Sequence, residues 1–199
     1  MAARASDKPA ASPLVKLFKD QKSWDDWLAK HGESSPGLWL RLAKKSAKLK
    51  SVTHPEALEV ALCHGWIDAQ RKTFDAESFI QKFTPRRPNS IWSRINRTKA
   101  LELIEAGRMR PGGHAAINKA RQNGLWEAAY DSHRTAVPPE DLKAALEQSP
   151  KAKVFFETLN SQNRYAILFR IQTAKKSETR KRRIEEFVAM LESHRKLYP

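Results

Sequence analysis

The spacing of apolar and polar residues predicts helices and short strands over the first two thirds of the chain. The stretch KSWDDWLAKHG has Ser23 as a cap and a glycine at its end, so it predicts a short helix. In LWLRLAKK, leucines alternate with other residues, which is the period of a half-buried strand. THPEALEVALCHG predicts a second helix, because Thr53 can cap it and Glu56 follows three residues later, as in a capping box.

The middle of the chain predicts a β-hairpin followed by two helices. GWIDAQRKTFDAESFIQKFTPR has the composition of two strands with a turn around residues 75–77. Two prolines then end strand pairing, since proline lacks the N–H group that a sheet requires. Helical spacing runs from Ile91 to Gly107, and PGGHAAINKARQNG predicts another helix. Gly112 and Gly113 are interpreted as turn residues between these two helices.

After DSHRTAVPP the chain shows four consecutive helical patterns and no strand pattern. We therefore predict an α+β fold, with a small three-stranded antiparallel sheet and packed helices over residues 20–130. A C-terminal helical domain is predicted over residues 138–194. Residues 1–19 are rich in Ala, Ser, Pro and Lys and lack the apolar region of a secretory signal, so we expect a flexible leader.

Composition favours a cytoplasmic protein without a metal or cofactor. No apolar run approaches the roughly 18 residues needed to span a bilayer. Cys63 is the only cysteine, which excludes an internal disulfide and a multi-cysteine zinc site. The six histidines lack the spacing of a metal site, and no glycine-rich nucleotide loop is present. We therefore expect no cofactor, no metal and no membrane span.

The chain is strongly basic, and its positive charge is concentrated in two blocks. The formal net charge is +15. Residues 71–110 carry ten basic against four acidic side chains, and residues 164–183 carry eight against one. Such blocks attract polyanions, including nucleic acid, but they are also typical of a solvated surface that keeps a protein soluble. Both interpretations stay open at this point.

The second block contains a basic patch within AKKSETRKRR, made of Lys175, Lys176, Arg180, Lys181, Arg182 and Arg183. Ser177 is the predicted cap of the helix that follows, so like charges gather in its first turns, where the helix dipole opposes them. This indicates either an anionic partner or neutralisation by nearby acids of the same helix, Glu178, Glu185 and Glu186.

The first block contains FTPRRPNSIWSRINR, which places two arginines just before a predicted helix start. The first N–H groups of a helix lack internal acceptors and are partly positive, and the arginine fork suits phosphate or carboxylate. We therefore predict an anion- or ligand-binding corner. Its candidate residues are Arg86, Arg87, Ser93 and Asn96 as ligand contacts, with Trp66, Trp92 and Asp68 beside them. Alternatively, the arginines pair with Asp68, Asp75 or Glu77, and Trp92 belongs to the core.

No nucleophile, base and orienting group are recognisable together, so no catalytic residue is assigned. Cys63 and His64 are neighbours and point about 100° apart on a helix, which favours a buried thiol and a capping or packing histidine. Asp68 leaves open a second hypothesis, because an acid beside Trp66 can have a raised pKa. That hypothesis is a small-molecule enzyme whose pocket uses Trp66, Asp68 and Arg86.

Several motifs of the chain carry a resemblance to a known family. They are TPRR followed by SIWSRIN, then LIEAGRMRPGG, and AKKSETRKRRI in the C-terminal part. Over about residues 20–194 the chain resembles the YdeI/OmpD-associated (OmdA-like, bacteriocin-protection) family of bacterial proteins. The resemblance implies a role in tolerance of bacteriocins, cationic antimicrobial peptides or envelope stress, and it brings no catalytic residues, cofactor or substrate.

Our leading hypothesis is a non-enzymatic protein that binds an anionic ligand or partner in such a stress pathway. A protein of this charge repels a cationic peptide, so sequestration by charge attraction is unfavourable. A third hypothesis is a protein-interaction module that acts through its C-terminal helices.

Overall fold

The structure is a computed structural model that describes residues 14–199. The secondary-structure elements in chain order are β1 (Val15–Leu17), α1 (Gln21–His31), β2 (Leu38–Ala43), α2 (His54–Cys63), β3 (Trp66–Thr73), β4 (Ser78–Pro85), α3 (Arg94–Glu105), α4 (Pro111–Gln122), α5 (Glu140–Glu147), α6 (Pro150–Thr158), α7 (Ser161–Gln172) and α8 (Ser177–Glu192). The predicted α+β class is confirmed. The C-terminal part is helical, with four helices from Glu140 onward.

The chain forms two compact units, each built from two stretches of sequence. The first unit runs to Pro88 and takes in Ala100–Asn118, and the second comprises Asn89–Lys99 and Lys119–Pro199. Helices α3 and α4 each contribute residues to both units. The predicted domains, residues 20–130 and 138–194, are each continuous in sequence, whereas each compact unit combines two stretches. The predicted division stays a prediction.

The sheet of the first unit has four strands in the order β1-β2-β4-β3. Strand β1 pairs in parallel with β2, with Val15 opposite Trp39, and the other pairs are antiparallel. The predicted three-stranded antiparallel sheet is therefore wrong by one strand. Strand β1 lies within the leader predicted over residues 1–19, of which residues 1–13 lie outside the described residues. A strand of three residues is too short to show the alternation of apolar and polar side chains that predicts a strand. The leader was therefore predicted from composition alone.

Tryptophans hold the helices of the first unit on one face of the sheet. Leu38, Leu40 and Leu42 point from β2 into a core that also contains Trp24 and Trp66. The Trp24 indole N–H donates to the Ala57 carbonyl of α2 over 3.0 Å, and the Trp66 indole N–H donates to the Gly32 carbonyl over 3.2 Å. A buried indole normally satisfies its N–H in this way, so both rings are fixed as well as buried.

Helices α1, α2, α6 and α7 start at side-chain caps, whereas α5 and α8 start without a side-chain cap hydrogen bond. The predicted box of Thr53 and Glu56 at α2 is confirmed, whereas α1 is capped by Asp20 instead of Ser23. Helix α3 begins at Arg94, not at Ile91, because the chain before it is extended and bridges Ser93 to Tyr130 in the second unit. The Ser93 hydroxyl then accepts the Asn96 N–H, which is a capping bond.

The core of the second unit is formed by helices α5 to α8 and includes the fully buried Leu142, Ile167 and Leu191. Asn163 of α7 is also fully buried, and its amide is satisfied on both sides. Its nitrogen donates to the Tyr198 carbonyl over 3.2 Å, and its oxygen accepts the Tyr198 N–H over 2.9 Å. The residues after α8 are therefore tied to α7 by a buried polar pair.

Candidate functional site

The residues of the predicted anion corner lie in different units. Arg86 is half-buried and Arg87 is exposed, and both belong to the first unit. The Arg86 backbone N–H donates to the Gly65 carbonyl over 2.9 Å. Ser93 and Asn96 belong to the second unit, where their bond to each other caps α3. The corner that would need all four residues stays a prediction.

The two tryptophans of the predicted corner are core residues. Trp66 and Trp92 are each 2% exposed. Trp92 packs edge to face on Trp126 of the same unit, with ring centroids 4.8 Å apart. The alternative that Trp92 belongs to the core is confirmed. Both rings are almost fully buried, and their predicted place beside a ligand stays a prediction.

Two acids that were alternatives for pairing with the arginines are bound by other basic groups. Asp68 lies 3.0 Å from the His54 Nε2, and both side chains are about a quarter exposed. Asp75 binds Arg41 over 2.7 Å and also accepts the Ser78 N–H in the hairpin turn. Asp68 therefore forms a histidine–aspartate pair that sequence spacing did not indicate. His54 starts a helix and Asp68 follows in the next strand.

Part of the predicted basic patch is structural. Arg180 binds Asp141 through two hydrogen bonds of 2.6 and 2.8 Å and donates to the Ile171 carbonyl over 3.0 Å. Arg183 donates to the carbonyl of Arg170. Both guanidinium groups thus satisfy carbonyls at the end of α7, which has no further helical turn to do so.

The rest of the patch points outward. Lys175, Lys176, Lys181 and Arg182 are exposed. Of the three acids predicted to neutralise the patch, Glu186 lies 3.6 Å from Arg182. The acid that binds Arg180 is Asp141 on α5, 39 residues away in sequence. The exposed part of the patch is therefore smaller than predicted.

A cavity of about 440 Å³ in the first unit gathers cations that were not predicted as a site. We call it the cationic cleft, and its charged lining residues are Lys22, Asp25, Arg108 and Arg110. Cys63 and Val60 of α2 form part of its wall. Its volume is within the range typical of ligand pockets. Three of its four charged side chains are positive, so the cleft suits an anion.

The loop between α3 and α4 builds the cleft because two glycines allow α4 to approach α2 closely. The Arg110 N–H donates to the Cys63 carbonyl over 3.1 Å. A Cβ atom on Gly112 would lie 2.7 Å from the His64 carbonyl oxygen, and one on Gly113 would lie 2.8 Å from that of Leu62. Only glycine permits this distance. These glycines belong to the first turn of α4, so their interpretation as turn residues was wrong.

Asp25 is the centre of the polar network in the cleft. Its carboxylate accepts a hydrogen bond from His64 Nε2 over 2.7 Å and another from Arg110 over 2.8 Å. Burial is the largest single influence and raises the pKa of Asp25, but the bonds from His64 and Arg110 together outweigh it and hold the pKa below its ordinary value. Asp25 is therefore ionised at neutral pH and positions Arg110 at the cleft.

The thiol in the cleft wall is not activated. Cys63 is buried, and burial raises its pKa to about 11, despite the nearby arginines, which lower it. A thiol with this pKa stays protonated at neutral pH and is a poor nucleophile. With Asp25 bound on both oxygens, the cleft has the groups to hold an anion, and it lacks an activated nucleophile among the residues described.

Residues 14–199 contain no group of three or more His, Cys, Asp or Glu side chains placed to hold a metal ion. Each helix in this range is too short or too polar to span a lipid bilayer.

Comparisons with known proteins identify two regions of the chain. Residues 16–116 match a family model described as Domain of unknown function (DUF8412). Residues 135–194 match a family model described as Bacteriocin-protection, YdeI or OmpD-Associated (OmdA). The predicted resemblance is thus confirmed over the C-terminal helices, and a separate family model matches the part that contains the cleft. No curated protein and no solved structure gives a significant match.

Proposed function

The chain belongs to the family described as Domain of unknown function (DUF8412), and from that premise we propose that it is a non-enzymatic protein that binds a small anionic ligand in the cationic cleft. We further propose that this binding serves tolerance of bacteriocins or of cationic antimicrobial peptides, a role supported by the match of residues 135–194 to a family model described as Bacteriocin-protection, YdeI or OmpD-Associated. We place this role in the cytoplasm, as the single cysteine suggests. The ligand class is phosphate or carboxylate, because guanidinium groups bind both through paired hydrogen bonds.

The observation that carries this proposal is the charge of the cleft. Lys22, Arg108 and Arg110 face one carboxylate in its lining, and that carboxylate is already bound on both oxygens. Lys22 and Arg108 also pair with Asp26 and Glu59, over 2.6 and 3.0 Å. Exposed pairs of this kind contribute only about 0–1 kcal/mol, so a ligand anion competes with them at small cost.

The enzyme hypothesis around Trp66, Asp68 and Arg86 has little support from the same structure. Trp66 is covered on its faces and its indole N–H is satisfied by Gly32, so it does not line an open pocket. Asp68 is engaged by His54. Cys63 is a poor nucleophile at neutral pH, because burial raises its pKa to about 11 and keeps the thiol protonated.

Titration of the full-length protein with inorganic phosphate and with acetate tests the proposal. We expect binding that weakens as salt is raised, and a loss of about tenfold or more in Arg108→Gln and Lys22→Gln, since a charge-assisted hydrogen bond to a ligand is typically worth that factor. Arg134→Gln, an exposed arginine of the second unit, is the matched control.

Three outcomes would overturn the assignment to the cleft. The first is affinity for both anions that is unchanged in Arg108→Gln and Lys22→Gln, and the second is no measurable binding by the wild-type protein. The third is a loss confined to Arg87→Gln, which would place the ligand at the corner predicted from the sequence. Tight binding of single-stranded DNA, abolished by Lys175→Gln with Lys176→Gln and not by Arg108→Gln, would favour a polyanion partner instead.

A further inference from the structure

The second unit contains another cavity, of about 360 Å³, that is separate from the proposed anion site of the first unit. We call it the Arg164 pocket. Its lining includes Leu159, Leu168, Tyr165, His133, Ser161 and Arg164. The combination is unlike that of the cationic cleft, because apolar and aromatic side chains accompany a single cation. Pockets of this size with a few polar groups are typical of small-molecule sites.

The apolar part of the pocket continues the core of the second unit. Leu159 and Leu168 are 6% and 1% exposed and belong to the buried cluster of helices α5 to α8. Tyr165 forms an aromatic wall, and the ring of His133 packs edge to face on it, with centroids 5.3 Å apart. The Tyr165 hydroxyl donates to the Asp131 carbonyl over 3.1 Å, which fixes the ring. Since Leu159 and Leu168 are almost fully covered, the surface that an apolar group of a ligand would meet is mainly the fixed ring of Tyr165.

The polar part of the pocket is a cation whose charge no carboxylate of the described residues neutralises. Arg164 donates from one terminal nitrogen to the carbonyls of Glu157 and Leu159, at 2.9 and 3.4 Å, and its guanidinium lies 5.6 Å from the Phe156 ring centroid. Its Nε is buried and has no acceptor within residues 14–199. A half-buried arginine that is held in place without a counter-ion is unusual in a folded protein, because burial of an unpaired charge is energetically unfavourable.

The beginning of α7 adds to the same positive potential. Asn160 caps this 12-residue helix by accepting the Asn163 N–H over 2.9 Å, and Ser161, an exposed residue, is its first residue. Helix N-termini favour negative charge. Arg164 lies one turn further along the same helix. An anionic group at the pocket thus meets a guanidinium, a helix start and a hydroxyl from consecutive turns.

We propose that the Arg164 pocket binds a small monocarboxylate with an apolar tail, whose carboxylate pairs with Arg164 and whose tail packs on the half-buried Tyr165 and Ala136. A single arginine matches one carboxylate better than a multiply charged phosphate, and the apolar floor gives the tail a place that water would otherwise occupy. The carboxylate comes either from a free aliphatic acid or from the C-terminus of an amino-acid derivative.

The experiment is a titration of the full-length protein followed by ¹H–¹⁵N NMR, with octanoate and N-acetyl-leucine as probes and octanol as the uncharged control. The two acids represent the two sources of the carboxylate. We expect one or both to shift amides of α7 and octanol to bind about tenfold or more weakly, because it lacks the charge-assisted bond. Because the cationic cleft is itself proposed to bind carboxylates, amides around Arg108 and Arg110 are followed separately. Shifts of α7 that persist in Arg108→Gln are independent of the proposed function.

Two variants make the test specific. Arg164→Lys keeps the charge but loses the hydrogen bonds to the Glu157 and Leu159 carbonyls that hold the guanidinium in place, and is expected to weaken binding of the probe about tenfold. Ala136→Phe fills the pocket without removing a hydrogen bond and is expected to abolish binding, since Ala136 is a half-buried lining residue. Arg182→Lys, at an exposed arginine of α8, is the control. Absence of binding, equal binding of octanol, or unchanged affinity in a folded Ala136→Phe variant would each overturn the proposal.

Discussion

Replacement of Arg180 by alanine is expected to destabilise the second unit by about 2 kcal/mol. The guanidinium, 29% exposed, makes a two-bond ion pair with Asp141, whose side chain is 45% exposed. Screening by solvent limits that pair to about 1 kcal/mol or less. The hydrogen bond to the Ile171 carbonyl at the end of α7 adds about 1 kcal/mol, the typical net value for such a bond.

Matched variants separate these two contributions. Arg180→Lys keeps a positive charge but not the planar fork, so we expect about half of the loss. Arg182→Ala removes an arginine of the same helix that is 70% exposed and 3.6 Å from Glu186, and should change the free energy of unfolding by less than about 0.5 kcal/mol. Urea unfolding followed by circular dichroism measures all three.

The pH dependence of the Arg180 effect provides an independent check. The hydrogen bond from Arg180 is the main cause that lowers the pKa of Asp141 below its ordinary value. A carboxyl group whose pKa is lowered in the folded state stabilises that state fully above the unfolded-state pKa of about 3.9. It loses this contribution as the pH falls through the folded-state pKa. The difference between wild type and Arg180→Ala should therefore shrink in acid. Equal stability of Arg180→Ala and Arg182→Ala at neutral pH would refute the structural role of Arg180.

Two further predictions concern the first unit. Gly113→Ala places a methyl group against the carbonyls at the end of α2, so we expect a loss of about 1–3 kcal/mol in the free energy of unfolding. In a helix without this close contact, the change from glycine to alanine would stabilise. An unchanged or raised stability in urea would contradict the close approach of α4 to α2. Cys63, with its pKa raised by burial to about 11, should react with iodoacetamide near neutral pH about a hundredfold more slowly than free cysteine, and at the ordinary rate in urea. Rapid alkylation of the folded protein would contradict this.

Much of the secondary structure follows from local sequence signals. The capping box at Thr53 involves residues three apart, and the four C-terminal helices each begin at a change of pattern that their own residues encode. Interactions between residues a few positions apart can be recognised from the sequence without knowing how the rest of the chain folds. Strand β1 lacks such a signal, because its three residues become a strand only through pairing with β2.

The candidate sites depend instead on contacts between residues that are far apart in sequence. Arginine pairs in the sequence drew attention to residues 86–87 and 180–183, yet Arg180 binds Asp141 at a separation of 39 residues and Arg110 binds Asp25 at a separation of 85. A run of like charges states how much charge is present and not which carboxylates the fold brings near it. The same limit applies to the cationic cleft, whose walls come from α1, α2 and the loop before α4.

Periodicity, caps and motifs that are contiguous in the chain were enough to predict the α+β class, most helices and the resemblance of the C-terminal region to its family. The identity of the core tryptophans, of the structural arginines and of the cations that line a cavity became visible only in the folded chain. Those properties depend on distances between residues far apart in sequence. The two glycines at the start of α4 illustrate the difference, since their role appears only when α2 lies against them.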